Sequence, residues 1–189
     1  MRRGPGEAIG RNFPALHLAR GTDMGTRLLP RTLPELFAYS LAIEGEATKR
    51  FVELERYLRD CGAAYVADEF ERIGREEREQ YDTIALGTAD RELPELAGWE
   101  LSWHFAPQAP ELRAPRSIRQ AIAMALALER GTQAFYSDVA EHARDSAVRA
   151  FAAEMANDEQ RHVRRLETLL EREPPAALEN GLPPARDAG

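Results

Sequence analysis

Apolar residues recur along this chain at alternating intervals of three and four, the mark of helices that bury one face. Val66, Phe70, Ile73, Glu77, Gln80 and Ile84 keep that spacing, and so do Val148, Ala152, Met155, Glu159, His162 and Leu166. In an earlier segment Phe37, Leu41, Glu44, Thr48 and Phe51 fall on one stripe. No segment shows the strict alternation of a half-buried strand, so the predicted class is all-α.

Start and stop signals bound four helices. Thr32-Leu33-Pro34-Glu35 has the pattern of a capping box and opens the first. Cys61-Gly62 closes it, with a glycine suited to the left-handed position after a helix end. The second helix is expected from about Ala63 to Leu86, ending at Gly87. A further capping-box pattern, Ser117-Ile118-Arg119-Gln120, opens the third, which breaks near Arg144-Asp145. The fourth runs to about Arg172.

Short connections make helices 1 and 2 one antiparallel hairpin and helices 3 and 4 another. The stretch 88–116 between them is too long for a hairpin turn and predicts a crossover running the length of the bundle. Helices 2 and 3 are then parallel. Trp99, Trp103 and Phe105 in the crossover are expected to pack onto the bundle, with a dimer contact as the other use for them. The bundle proper is 32–172. Residues 1–31 and 173–189, rich in Gly, Arg and Pro without periodicity, read as tails.

The two halves repeat each other. Leu41-Ala42-Ile43-Glu44 matches Leu126-Ala127-Leu128-Glu129 at an offset of 85, and an aromatic residue, Phe51 or Tyr136, follows seven positions after each glutamate. The stripes of helices 2 and 4 correspond at an offset of 82. Glutamates therefore sit in the middle of faces that should be buried. A buried, unpaired carboxylate costs several kcal/mol or is driven to protonate. Four in one core need a shared partner, and two divalent cations would neutralise them.

Register allows the four to meet. The midpoint of positions 44 and 77 falls at the Cys61-Gly62 turn, and that of 129 and 159 falls at the second turn. Each pair thus lies level across its own hairpin, and the two levels are within a turn of each other. Gly74, just before Glu77, is costly inside a helix and suggests close packing there.

One glutamate from each of two helices plus Glu-x-x-His from the other two is the pattern of the ferritin-like di-iron and di-manganese bundles. The details resemble the rubrerythrin branch most: Glu44 followed by Ala47 and Phe51, Glu129 by Tyr136, and Glu159-Gln160-Arg161-His162 in helix 4. The resemblance covers about residues 33–172. It implies a ferritin-like four-helix bundle holding two iron ions, or manganese, through Glu44, Glu77, Gln80, Glu129, Glu159 and His162. By the same resemblance Glu77 and Glu159 bridge the two metals, Glu44 and Gln80 flank one, and Glu129 and His162 flank the other.

Two departures stand out. Where helix 2 should carry Glu-x-x-His it reads Glu77-Arg78-Glu79-Gln80, so Gln80 is either a weak oxygen ligand or an outer hydrogen-bond donor. The family's additional glutamate, three residues after the helix 3 ligand, is here Thr132. Rubrerythrins also append a rubredoxin-like cysteine domain, and Cys61 is the single cysteine. An external electron donor is therefore expected, with peroxide or dioxygen as oxidant. Iron oxidation for storage or transfer is the competing function. A scaffold whose metal site has decayed, Gln80 being the first lost ligand, is the third.

Composition narrows the rest. Hydrophobic residues are 43% and charged ones 30%, in keeping with a globular chain. The net charge is −7 and the arginines are dispersed, so no nucleic-acid partner is expected. No signal-type or membrane-spanning apolar run is present, and a cytoplasmic homo-oligomer, a dimer, is the expected setting. Tyr136 and Tyr81 are read mainly as core aromatics, with a redox role as the alternative. His142 reads as a helix C-terminal cation, and His17 and His104 carry no constellation.

Overall fold

The computed structural model describes residues 29–96 and 115–174. Most of both tails, the middle of the crossover with Trp99, Trp103 and Phe105, and His17 and His104 lie outside the described residues. Four helices account for nearly all of the rest: α1, Leu33–Asp60; α2, Ala64–Gly87; α3, Ile118–His142; and α4, Ser146–Arg172. Among the described residues no strand occurs, and no helix is long and apolar enough to cross a membrane.

Local chemistry sets each boundary. Thr32 Oγ1 accepts from the Glu35 amide while Glu35 reaches back to the Thr32 amide, so the capping box that opens α1 is complete. At its other end the Gly62 amide donates to Arg59 and the Ala63 amide to Leu58, a paired closure that requires a left-handed residue. Gly62 supplies it, with φ at 75°. The box expected at Ser117 is only half formed: Ser117 Oγ accepts from the Gln120 amide, but the Gln120 side chain takes the Arg116 amide instead. Asp145 caps α4 by accepting from the amides of Ala147 and Val148. Gly87 is the last residue of α2, as expected, and Thr88 follows as its cap.

Two apolar clusters show how the helices run. One joins Leu54 and Leu58 late in α1, Val66 and Phe70 early in α2, Ile122 and Leu126 early in α3, and Leu166 and Leu169 late in α4. The other joins Leu36 and Tyr39, Ile84, Phe135 and Val139, and Val148 and Met155. Each hairpin is therefore antiparallel, and α2 and α3 point the same way, as the long connection requires. Burial of each such side chain stabilises the fold by about 1.5–3 kcal/mol.

The inward face of α1 differs from the expected stripe. Leu36, Ser40, Ile43, Glu44, Ala47, Phe51, Leu54 and Leu58 are buried, whereas Phe37, Leu41 and Thr48 are only half-buried on its flank. Phe37 packs edge-on against Phe151 of α4, with ring centroids 5.1 Å apart. The flank is apolar because it meets a neighbouring helix, and a stripe read from spacing alone rotates toward it.

Gly74 marks a close approach of α1 and α2. A Cβ added there would lie 2.9 Å from the Cβ of Phe51, an atom fixed to its own backbone. Gly74→Ala gains up to about 1 kcal/mol of helix propensity but forces the helices apart, which costs about 1–3 kcal/mol. The expected outcome is net destabilisation in urea unfolding; a more stable variant would contradict the close approach.

Candidate metal centre

Between the two apolar clusters lies a layer of charge. Glu44 is 0% exposed, and Glu77, Glu129, Glu159 and His162 are each 1% exposed. Every helix contributes a glutamate, because the 3-4 spacing that buries the neighbouring apolar residues carries these positions inward with them.

Glu77, Glu129, Glu159 and His162 each place one donor atom within 4.8 Å of all the others. His162 turns Nδ1 to the centre, 2.6 Å from Glu77 Oε1, 3.3 Å from Glu129 Oε2 and 3.7 Å from Glu159 Oε2. Glu44 stands at the edge of this group, against the carboxylates of Glu77 and Glu159. The Tyr136 hydroxyl donates to Glu44 Oε1 at 2.6 Å. Gln80 is half-buried, and its Nε2 donates to Asp158 Oδ2 at 3.1 Å.

The electrostatics are severe. Burial first, then repulsion from Glu159 and Glu77, pushes the Glu44 carboxyl well above its ordinary range. Burial and the Glu129 charge do the same to Glu159. Glu77 and Glu129 are raised by burial and by Glu159 and Glu77 respectively. Burial alone would lower His162, but contacts with Glu129, Glu159 and Glu77 outweigh it and raise its pKa. Burial, then Glu44, pushes Tyr136 well up.

One oxygen each of Glu44 and Glu129 and both of Glu159 are shut from water without a hydrogen-bond partner, and the buried Glu77 Oε1 has only the His162 Nδ1 contact. Orphaned acceptors of this kind are uncommon in folded proteins and call for an ion. A divalent metal fits the group: it would satisfy the oxygens and neutralise the carboxylates together. Carboxylate with imidazole is a donor set suited to iron or manganese.

An outer ring of contacts escaped the sequence reading. Glu76 Oε2 lies 3.0 Å from His162 Nε2 and is also held by Arg165 at 2.6 Å, so it fixes the ring with Nδ1 inward. Asp158 plays the same part toward Gln80. Glu76 and Asp158 directly precede the two central glutamates and are themselves 82 positions apart. That repeat offset was the signal that could have found them. Tyr136 is buried and bonded to Glu44, whereas Tyr81 is half-buried under the Arg78 guanidinium. Thr132 is buried, with its hydroxyl 3.3 Å from the Leu128 carbonyl. His142 sits over the Asp138 carbonyl in the last turn of α3.

Comparison with known proteins follows the same line. A solved structure of an uncharacterised conserved protein from Magnetospirillum magnetotacticum is similar, with a TM-score of 0.68 and 24% identity. The likeness covers 78% of this chain and 99% of that one and shows the shared fold. No curated protein matches the chain. The family model for rubrerythrin matches residues 35–170, which takes in all four helices and the whole charged layer. The chain belongs to the rubrerythrin family.

Proposed function

We propose that this protein is a di-metal oxidoreductase, with iron as its principal metal, that reduces peroxide or dioxygen with electrons from an external donor. Its ligands are Glu44, Glu77, Gln80, Glu129, Glu159 and His162. The observation that carries this reading is the convergence of three buried carboxylates, Glu77, Glu129 and Glu159, on one imidazole nitrogen, with the buried carboxylate of Glu44 beside them. Four carboxylates with a neutral His162 balance the charge of two divalent ions, which supports two metals per chain.

Peroxide takes up two electrons and two protons and leaves as two waters; a pair of ferrous ions would supply one electron each. The protein's part is positional. Tyr136 occupies one oxygen of Glu44 and leaves the other to bind. Glu76 keeps His162 Nδ1 turned inward. The apolar clusters above and below the layer limit water at the centre, which strengthens every charge interaction within it.

The test is single turnover. Chain loaded anaerobically with Fe²⁺ and mixed with peroxide should oxidise rapidly, consuming about one peroxide for every two iron ions, and a chemical reductant should restore it. Oxidation no faster than that of free Fe²⁺ would remove the oxidoreductase reading. Accumulation of many irons per chain after repeated additions would favour iron storage instead.

A further inference from the structure

Gln80 ends in an amide whose two ends can be told apart by chemistry. Its Nε2 lies 3.1 Å from Asp158 Oδ2, and a carboxylate accepts hydrogen bonds, so the NH₂ end must face Asp158. Arg161 grips the other oxygen of Asp158 at 2.8 Å and steadies it. The amide oxygen, Oε1, is shut from water and has no partner. Glu44 repeats this pattern: Tyr136 takes one oxygen, and the other is buried without a partner.

The opposite half of the layer follows the same plan with one atom changed. There a carboxylate, Glu76, holds the far nitrogen of the side chain three residues after the central glutamate of α4. That side chain is His162, and it presents nitrogen to the centre. Across the repeat Asp158 holds Gln80, which has only oxygen left to present. Glu77 and Glu159 stand between the two halves.

Resting on the di-metal reading above, we propose that the two positions differ in how strongly they prefer iron over manganese. The position of Glu129 and His162 takes iron. The position of Glu44 and Gln80, built from oxygen alone, discriminates less against manganese and so admits it more readily than the other does. Imidazole donors favour the later first-row metals, whereas carboxylate and carbonyl oxygens suit manganese and magnesium, so losing the nitrogen removes much of iron's advantage. Asp158 is a positioning residue: it makes the amide offer its oxygen.

The test uses metal-free full-length protein equilibrated anaerobically with equal Fe²⁺ and Mn²⁺, crystallised and measured at the iron and manganese absorption edges. The iron-to-manganese ratio should be several-fold higher beside His162 than beside Gln80. Gln80→His should bring the two ratios together. Asp158→Asn, which lets the amide turn either way, should lower occupancy beside Gln80 while the His162 position stays filled. Equal ratios at both positions of the wild type would overturn the selectivity and leave the di-metal reading standing. Protein with no metal at either position would overturn both.

Discussion

Glu77→Ala and Glu159→Ala should each lose most of the metal that the wild type retains under equal loading. Both carboxylates lie at the middle of the charged layer, and Glu159 carries two buried oxygens without partners. Removing an outer partner of a ligand typically costs 10–100-fold in metal affinity, so removing a shared ligand should cost more than about a hundredfold. Metal analysis after gel filtration is the readout. A purely structural role would make their neutralisation destabilising, whereas in the metal-ligand account a buried charge that only repels its neighbours in the metal-free fold is better removed. Without metal, the near-isosteric Glu159→Gln should melt higher than wild type at neutral pH. Wild-type metal content in both alanine variants would remove Glu77 and Glu159 from the site.

The second large effect is on stability, and its sign depends on whether metal is bound. In the metal-free fold Glu44, Glu77, Glu129 and Glu159 are all raised, chiefly by burial, and His162 is raised by the carboxylates around it. A group raised on folding contributes stability that is fully present below its unfolded value and lost as pH rises toward the folded one. The unfolded values are 4.5 for the glutamates and 6.5 for the histidine. The metal-free protein should therefore melt progressively lower as pH rises from about 5 to 8. Metal reverses the trend, because its ligands must be deprotonated to bind it. Free metal at a hundredfold excess over Kd adds about 2.7 kcal/mol per site, or roughly 5–11 °C in a chain of this size. The gap between loaded and metal-free melting curves should widen from pH 5.5 to 8. Melting curves that ignore Fe²⁺ and Mn²⁺ would contradict this.

The helices, their order and their directions were legible because strong local signals bounded them. The Thr32 box, the glycine at 62 and the Ser117 cap each act within one turn of chain. The charged layer was legible because a two-fold repeat put glutamates in phase with buried residues twice over. What spacing could not supply was rotation about a helix axis. Phe37, Leu41 and Thr48 keep the same period as Leu36, Ser40, Ile43 and Ala47, and only packing against α4 tells the flank from the face. Long-range side-chain pairs were hidden for a similar reason. Glu76 and His162, Asp158 and Gln80, and Tyr136 and Glu44 are 86, 78 and 92 positions apart. Glu76 in particular sat inside the run Arg75-Glu76-Glu77-Arg78-Glu79, which reads as a solvated face, and only Glu77 of that run is buried.

Metal content of the purified chain tests the central claim most directly. Protein prepared without chelator, loaded anaerobically with Fe²⁺ and Mn²⁺ and freed of excess by gel filtration, should retain about two first-row ions per chain by elemental analysis. A chain that emerges folded and free of metal after that loading would contradict the account.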